Sequence, residues 1–394
     1  MIKSAYMHTL VASEGTSHLD LFAQSQVLRG NTVGLYTATP TFKLKGWPKD
    51  FGYHFIPSPA HIVRGLMRNR VSIPRVIYDY DCILFDKVTA MLIEDSDLLL
   101  GAASSSLATG KAAKRKGGKY VLDRACPDIR VQEKVVGEEA AKAGGIFVAA
   151  PQWFLERQVE EYEEADFIVL PSDYSRRSLP PHLQSKALIV PLIATLSALP
   201  AVPVKPARPF TVGVVGGNPL RKGYLYLAQA WKELGWTDAR LLMRTSERSV
   251  GEYPVIANLV KEQPTISFVN YVPNIADFFF DCDAFILPSI DDGFGMAFFE
   301  ALGHGVPSIA TRNCGSSEQV TPDKDFLLID AFSVEAIKES LTRLKEDAEL
   351  RARLAESGLR TIHSHQVHFA ESAYKKGIDA LMDRAFPSNE AATA

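Results

Sequence analysis

Cysteine is scarce and unpatterned in this chain. Cys82, Cys126, Cys282 and Cys314 are the four in 394 residues, and no two stand in C-x-x-C spacing. That offers neither a disulfide framework nor a zinc site. No stretch approaches the ~18 consecutive apolar residues of a membrane-spanning helix. The opening residues, Met1 to His8, carry no long apolar core of the signal-peptide kind. Charge of one sign is missing as well: 43 Lys and Arg stand against 46 Asp and Glu, a net charge of −3. Composition thus makes no case for a nucleic-acid binder. No aspartate pair stands out as a metal site, and no metal is expected. What remains is an ordinary globular composition, and a reduced, cytoplasmic enzyme is the expectation.

What is present is alternation. The length suits two or three domains. Strand-like runs at Ala5–Thr9, Thr32–Tyr36, Asp97–Gly101, Tyr120–Asp123, Phe167–Leu170 and Ala187–Val190 are separated by helical patterns. Residues 191–209 then hold five prolines, which remove backbone donors and disfavour helix; they read as an interdomain linker. Alternation restarts at Phe210–Val215 and repeats through Ala239–Met243, Ile266–Phe268, Ala284–Leu287, Ser308–Ala310 and Phe326–Ile329. An amphipathic helix is expected at Phe369–Ala385, and a frayed tail after Pro387. The fold class is α/β: two doubly wound, Rossmann-like halves facing across a cleft, residues 1–190 and 210–365, with 366–394 as a terminal helical segment. Such a cleft is a usual place for a two-substrate site.

Ile286 to Glu300 is the most informative stretch. A buried strand is followed by a Gly-rich loop, then by a helix starting near Met296. In open α/β sheets, ligands bind outside the carboxyl ends of the strands. Free amides at Gly293, Phe294, Gly295 and the helix start at Met296 attract an anion such as a pyrophosphate. Carboxylates repel phosphate, so Asp292 and Glu300 fit hydrogen bonds from sugar hydroxyls better than hydrolytic acid–base work. A second loop, Val215 to Gly223, also joins a strand to a helix. Gly216, Gly217 and Asn218 would allow close approach of a ligand, while Arg221 and Lys222 would neutralise a diphosphate. The loop lacks the G-x-G-x-x-G dinucleotide pattern, and its letters also suit a plain tight turn.

Elsewhere, Ser13 to His18 opens the first helix, with Gly15 free for close approach and His18 as a catalytic base or an acceptor contact; a Thr or Ser N-cap explains the same letters. Asp123 and Arg124 are polar residues at another strand end. His304 reads as a helix-end residue, and Asn313 to Glu318 as either a ligand-touching loop or a turn. Two basic clusters, Arg64, Arg68, Arg70 and Arg75, and Lys111, Lys114, Arg115, Lys116 and Lys119, would suit anionic headgroups, or simply water.

The second half resembles the retaining GT-B glycosyltransferases called glycosyl transferases group 1. The resemblance rests on Val215-Gly216 through Lys222-Gly223, on Phe268-Val-Asn-Tyr-Val-Pro273, and on Cys282-Asp-Ala-Phe-Ile-Leu-Pro-Ser289. It rests further on Asp292-Gly-Phe-Gly with Glu300 at E-x7-E spacing, on His304-Gly-Val-Pro-Ser-Ile-Ala-Thr311, and on Asp347 to Leu354. It covers residues 210–365 specifically, and the first half only in strand order. It implies a nucleotide-diphosphate-sugar donor bound by the second half and a carbohydrate or lipid-linked acceptor bound by the first. No cofactor is implied, and peripheral membrane contact through the first half is compatible with it. Carried over residue by residue, Lys222 would meet the diphosphate, Glu300 the ribose and Asp292 the transferred sugar. Three departures stand out. Gly217 occupies the place of an Arg, for which Arg221 or Arg244 would substitute. Asp292 is shorter than the usual Glu. Asp123-Arg124-Ala125 stands where a His is common. An epimerase, a phosphorylase or a non-catalytic nucleotide-sugar scaffold of the same architecture are the alternatives.

Overall fold

The structure, a computed structural model, describes residues 7–15, 18–44, 47, 51–66, 74–193, 208–269, 274–366 and 372–387. Most of the proline-rich segment, the tail after Pro387, Asn270 to Pro273, Arg68 and Arg70, and the side chain of Arg64 lie outside the described residues.

Two all-parallel sheets carry the molecule. The first holds β1 (His8–Ser13), β2 (Thr32–Thr37), β3 (Gly52–Phe55), β4 (Leu98–Ala102), β5 (Lys119–Asp123), β6 (Phe167–Leu170) and β7 (Ala187–Ile189) in the order β3-β2-β1-β4-β5-β6-β7. The second holds β8 (Phe210–Val215), β9 (Ala239–Arg244), β10 (Ile266–Phe268), β11 (Ala284–Leu287), β12 (Ser308–Thr311) and β13 (Leu327–Ile329) in the order β10-β9-β8-β11-β12-β13. Each order reverses direction once, between β1 and β4 and between β8 and β11. Those reversals are the switch points at which such sheets open a crevice. Central strands are covered on both faces, so they read as continuous apolar runs; Ala284 to Leu287 are fully buried.

The first strand runs further than its pattern predicts: β1 continues past Thr9 to Ser13, because its fully buried centre, Leu10 to Ala12, pairs with β2 on one side and β4 on the other. Ala5 and Tyr6, where that pattern starts, lie outside the described residues. β3 is not anticipated at all: it is a short edge strand that opens on Gly52 and is half exposed, and little in its composition marks it.

The two halves exchange helices. Helix Ala373–Ala385 returns to the first sheet, where Tyr374, Ile378, Leu381 and Met382 pack with Leu19, Phe22 and Val190. In the other direction, Val136, Ala140 and Ala143, on or just past helix Ile129–Lys142, join the core of the second sheet with Tyr224, Leu227 and Trp231. The Tyr226 hydroxyl donates to Glu139 at 2.8 Å, and the Val255 amide donates to the Ala143 carbonyl at 3.1 Å across the same contact.

Candidate functional site

The carboxyl ends of β8, β9 and β10 open onto one cavity of about 510 Å³. Gly216 and Gly217 form one wall, Arg244, Glu247 and Arg248 another, and Val269 closes it beyond β10. A Cβ at Gly216 would press on the stem of Lys222, so the lysine lies against this loop. The Lys222 ammonium is ion-paired with Asp292, which also accepts from the Ser289 hydroxyl at 3.3 Å. Asp292 is 8% exposed, so removing the lysine would leave a buried anion without its partner. Burial pushes the Glu300 carboxyl above its ordinary range, and the nearby Arg244 guanidinium partly offsets this.

The loop between β11 and helix Met296–Gly303 needs its glycines for two different reasons. Gly295 sits at φ +87, a left-handed conformation, immediately before the helix. A Cβ at Gly293 would overlap the Ala125 carbonyl of the first half, so only glycine allows this loop to seat there. The Ser172 hydroxyl donates to the Gly293 carbonyl at 2.7 Å, and Glu318 accepts from the Asp173 and Tyr174 amides at 2.7 Å each. The loop is therefore clasped from across the cleft.

Several sequence candidates point elsewhere. Arg221 donates to Asp291 at 3.1 Å and lies 3.7 Å from the Cys126 sulfur; Gln132 and Tyr174 reach the same Asp291 carboxylate. It braces the domain contact rather than lining the cavity. The Asn218 side chain accepts from the Arg221 amide at 3.1 Å and so fixes the turn. Phe294 is buried against Phe299, with ring centroids 5.0 Å apart. Only its backbone remains for a ligand, while Met296 is half-buried at the helix start.

On the first half, His18 Nε2 lies 2.8 Å from Asp123 Oδ2. Burial works against the imidazolium, but the Asp123 carboxylate outweighs it and the His18 pKa is raised. The pair borders a void of about 10 Å³ beside Ala125 and Tyr374. Gly15 is exposed, with open space where a side chain would go. Arg124 turns inward: it is 7% exposed, and Nε and Nη2 both donate to the Pro127 carbonyl, at 3.0 and 2.7 Å. It holds its own loop instead of facing the cleft. His304 ends its helix as expected, 2.7 Å from the Glu300 carbonyl. Of the basic clusters, Arg75 pairs with Glu133, Lys111 with Glu160, Lys114 with Glu164 and Lys116 with Asp95. Among the described residues, no group of three His, Cys, Asp or Glu side chains is placed to hold a metal ion.

The structure thus gathers Gly216, Gly217 and Arg244 on one cavity, with Lys222, Asp292 and Glu300 adjoining it. Sequence reasoning missed Thr245, Glu247 and Arg248. Their signal was position alone: they follow directly on the carboxyl end of β9.

Comparison with known proteins finds likenesses to glycosyltransferases. Residues 197–361 match the model described as glycosyl transferases group 1. The lipopolysaccharide core biosynthesis glycosyltransferase LpsD of Rhizobium meliloti (strain 1021) is 31% identical over 175 residues, 44% of this chain and 50% of LpsD. The capsular polysaccharide biosynthesis glycosyltransferase CapM of Staphylococcus aureus is 24% identical over 160 residues, 39% of this chain and 42% of CapM. The chain spans about half the length of these curated relatives. Among solved structures, sucrose-phosphate synthase from Thermosynechococcus elongatus superposes with a TM-score of 0.69 at 17% identity, covering 96% of this chain and 99% of that one. Anabaena HepE in complex with UDP and glucose gives 0.66 at 12% identity, covering 96% and 100%. These likenesses establish the GT-B fold.

Proposed function

We propose that this protein, whose residues 197–361 match the model described as glycosyl transferases group 1, is a retaining glycosyltransferase that moves a hexose from a nucleotide-diphosphate sugar to a hydroxyl acceptor, in polysaccharide or glycoconjugate synthesis. The observation that carries this reading is the cavity at the ends of β8, β9 and β10, with Lys222 at one edge and Glu300 near the Arg244 wall.

In this reading the diphosphate occupies the Gly216–Gly217 cradle and draws Lys222 from Asp292. The freed Asp292 then meets a hydroxyl of the transferred sugar, and Glu300 accepts from the ribose. The bond from the anomeric carbon to the diphosphate oxygen breaks as the acceptor oxygen bonds the same face. The acceptor proton passes to the departing diphosphate, so no strong enzymic base is required. Lys222 stabilises the charge that develops on the leaving group. Contact of the first half with the second, through Ser172 on Gly293 and the Asp173 and Tyr174 amides on Glu318, keeps water from the donor. The binding of UDP by HepE is a property of that protein; it makes UDP-sugars the first donors to try here.

The first half is the acceptor side, with Gly15 and the His18–Asp123 pair at its strand ends. A lipid-linked acceptor suits the helix Arg75–Leu92, whose outer face exposes Val76, Ile77, Tyr80, Leu84 and Met91. Among the described residues, no helix is long and apolar enough to cross a membrane, so any membrane contact in this reading is peripheral.

Thermal-shift measurement with UDP-, GDP-, ADP- and TDP-sugars tests the proposal. One nucleotide class should raise the melting temperature, and Lys222→Ala and Glu300→Ala should abolish the rise. No shift from any of them at millimolar concentration overturns it. Product analysis separates the alternatives: an epimerase needs no acceptor, a phosphorylase needs free phosphate, and a scaffold binds without turnover.

A further inference from the structure

The donor cavity has more cationic character than the sequence motifs assign to it. A diphosphate carries two or more negative charges, and Lys222 supplies one positive charge that already faces Asp292. Arg221 is committed to Asp291 at the domain contact. Arg244 is half-buried beside the Glu300 carboxylate, which it holds down. Position 217 contributes no side chain, and the space that its Cβ would enter is open, with no atom within 4 Å. One more cation lines the same wall. Arg248, on helix Glu247–Gly251 just beyond β9, is exposed. Among the described residues no hydrogen bond or ion pair ties its side chain down, in contrast to Lys222 and Arg221. Its neighbour Glu247 lines the cavity too, so a cation without a protein counter-ion stands beside a carboxylate suited to hydroxyls.

We infer that Arg248 is a donor-binding residue: it brings the second positive charge to the diphosphate from the end of β9, across the cavity from the glycine loop. The inference rests on the nucleotide-sugar reading above and adds a residue to it. Guanidinium is suited to this task, because its fork offers paired donors to phosphate oxygens. Arg248 would stabilise the bound donor and the leaving diphosphate alike, so its loss should raise KM for the donor and lower kcat/KM.

The test is calorimetric titration of the full chain with UDP, GDP, ADP and TDP, and with the matching nucleosides, for wild type, Arg248→Ala, Arg248→Lys and the double variant Gly217→Arg/Arg248→Ala. Arg248→Ala should weaken the diphosphate about tenfold or more, leave nucleoside binding unchanged, and flatten the dependence of affinity on salt. Arg248→Lys should recover part of the loss. Gly217→Arg should restore binding from the opposite wall, since the space there is open. Arg248→Ala that binds the diphosphate like wild type overturns the inference alone. So does an equal loss for diphosphate and nucleoside, which would mean that Arg248 reads the base. Failure of wild type to bind any nucleotide overturns the functional reading, and this inference with it.

Discussion

The two sheets share one topology and finish their strand ends in opposite ways. Beyond β4, the helix Leu107–Arg115 starts with free amides, the feature that draws anions to such folds. The protein fills that place with its own carboxylates. Asp86 accepts from the Ala108 and Thr109 amides at 2.7 and 2.9 Å, and Glu161 from the Ser104 and Ser106 amides at 2.7 and 3.1 Å. Arg157 pairs with both acids, and all three side chains are nearly or fully buried. In the second sheet the ends of β8, β9 and β10 meet a cavity edged with cations. Topology makes an anion site available at each switch point. In the proposed reading, whether side chains plug it or leave it open decides which domain takes the donor.

The largest effect should come from breaking the plug. Arg157→Met leaves Asp86 and Glu161 buried without their cation, a loss on the order of 3–5 kcal/mol that urea unfolding would register. Nucleotide affinity, measured where the variant is still folded, should stay at the wild-type value, because the open cradle lies in the other domain. A matched loss of both would mean that the two domains do not behave as the comparison says.

Next in size is the open cradle itself. Lys222→Ala should weaken nucleoside diphosphate binding ~10–100-fold, the usual scale for a charge-assisted hydrogen bond. It should also lower the ligand-free melting temperature, since Asp292 then stays buried and unpaired. Lys222→Met with Asp292→Asn removes both charges; it should regain the stability and not the binding. Recovery of binding in that pair would show that the cation is not what holds the diphosphate.

Glu300 sharpens the contrast through pH. Its folded pKa lies above the unfolded value because burial disfavours the anion. A raised carboxyl favours the native state below the unfolded pKa and loses that contribution as pH rises through the folded pKa. Above its folded pKa the ionised Glu300 therefore costs the native state stability. Glu300→Gln should melt at the same or a higher temperature near pH 7, lose that advantage near pH 4, and bind nucleotide several-fold less tightly. A lower melting temperature at pH 7 would mean that Glu300 is there for structure.

How much of this was readable in the chain depends on how local each cause is. The loops after β8 and β11 were legible as strand–glycine–helix junctions because all three parts lie within about ten residues of one another. The plug was not. Asp86, Glu161 and the amides after β4 come from three separate elements, and nothing in any one of them names the others. Arg221 and Lys222 are adjacent in sequence, yet they separate in space, one to Asp291 at the domain contact and the other to Asp292 beside the cradle. Arg124 shows the reverse: its partner, the Pro127 carbonyl, is three residues away. The turn that brings the two together still could not be seen in a row of polar letters at a strand end. Helix Ile129–Lys142 gave no sign in its own pattern that its apolar stripe would be buried on the other sheet.

That helix exchange and the loop clasp set up the smallest expected effect. Glu318 lies past β12 in the second half and receives two amides from the first helical turn at Asp173. Helix-start amides favour a carboxylate, so Glu318→Gln keeps the geometry and removes only the charge. A loss of about 0.5–1 kcal/mol follows from the modest worth of such exposed contacts, or roughly 1–4 °C in melting temperature for a domain of this size. The consequence for function should be out of proportion to that loss. Glu318 fixes the helix start at Asp173, next to Ser172, whose hydroxyl holds the Gly293 carbonyl at 2.7 Å. Weakening the clasp lets the donor loop part from the first half without disturbing the cradle. Nucleotide affinity should then stay within about twofold of wild type, while hydrolysis of the donor sugar by water rises relative to transfer. Measuring free sugar against transferred sugar in one reaction reads that ratio directly. An unchanged ratio alongside the expected fall in melting temperature would reduce the clasp to a structural contact, and the division of labour between the two domains would then rest on the cradle and the plug alone.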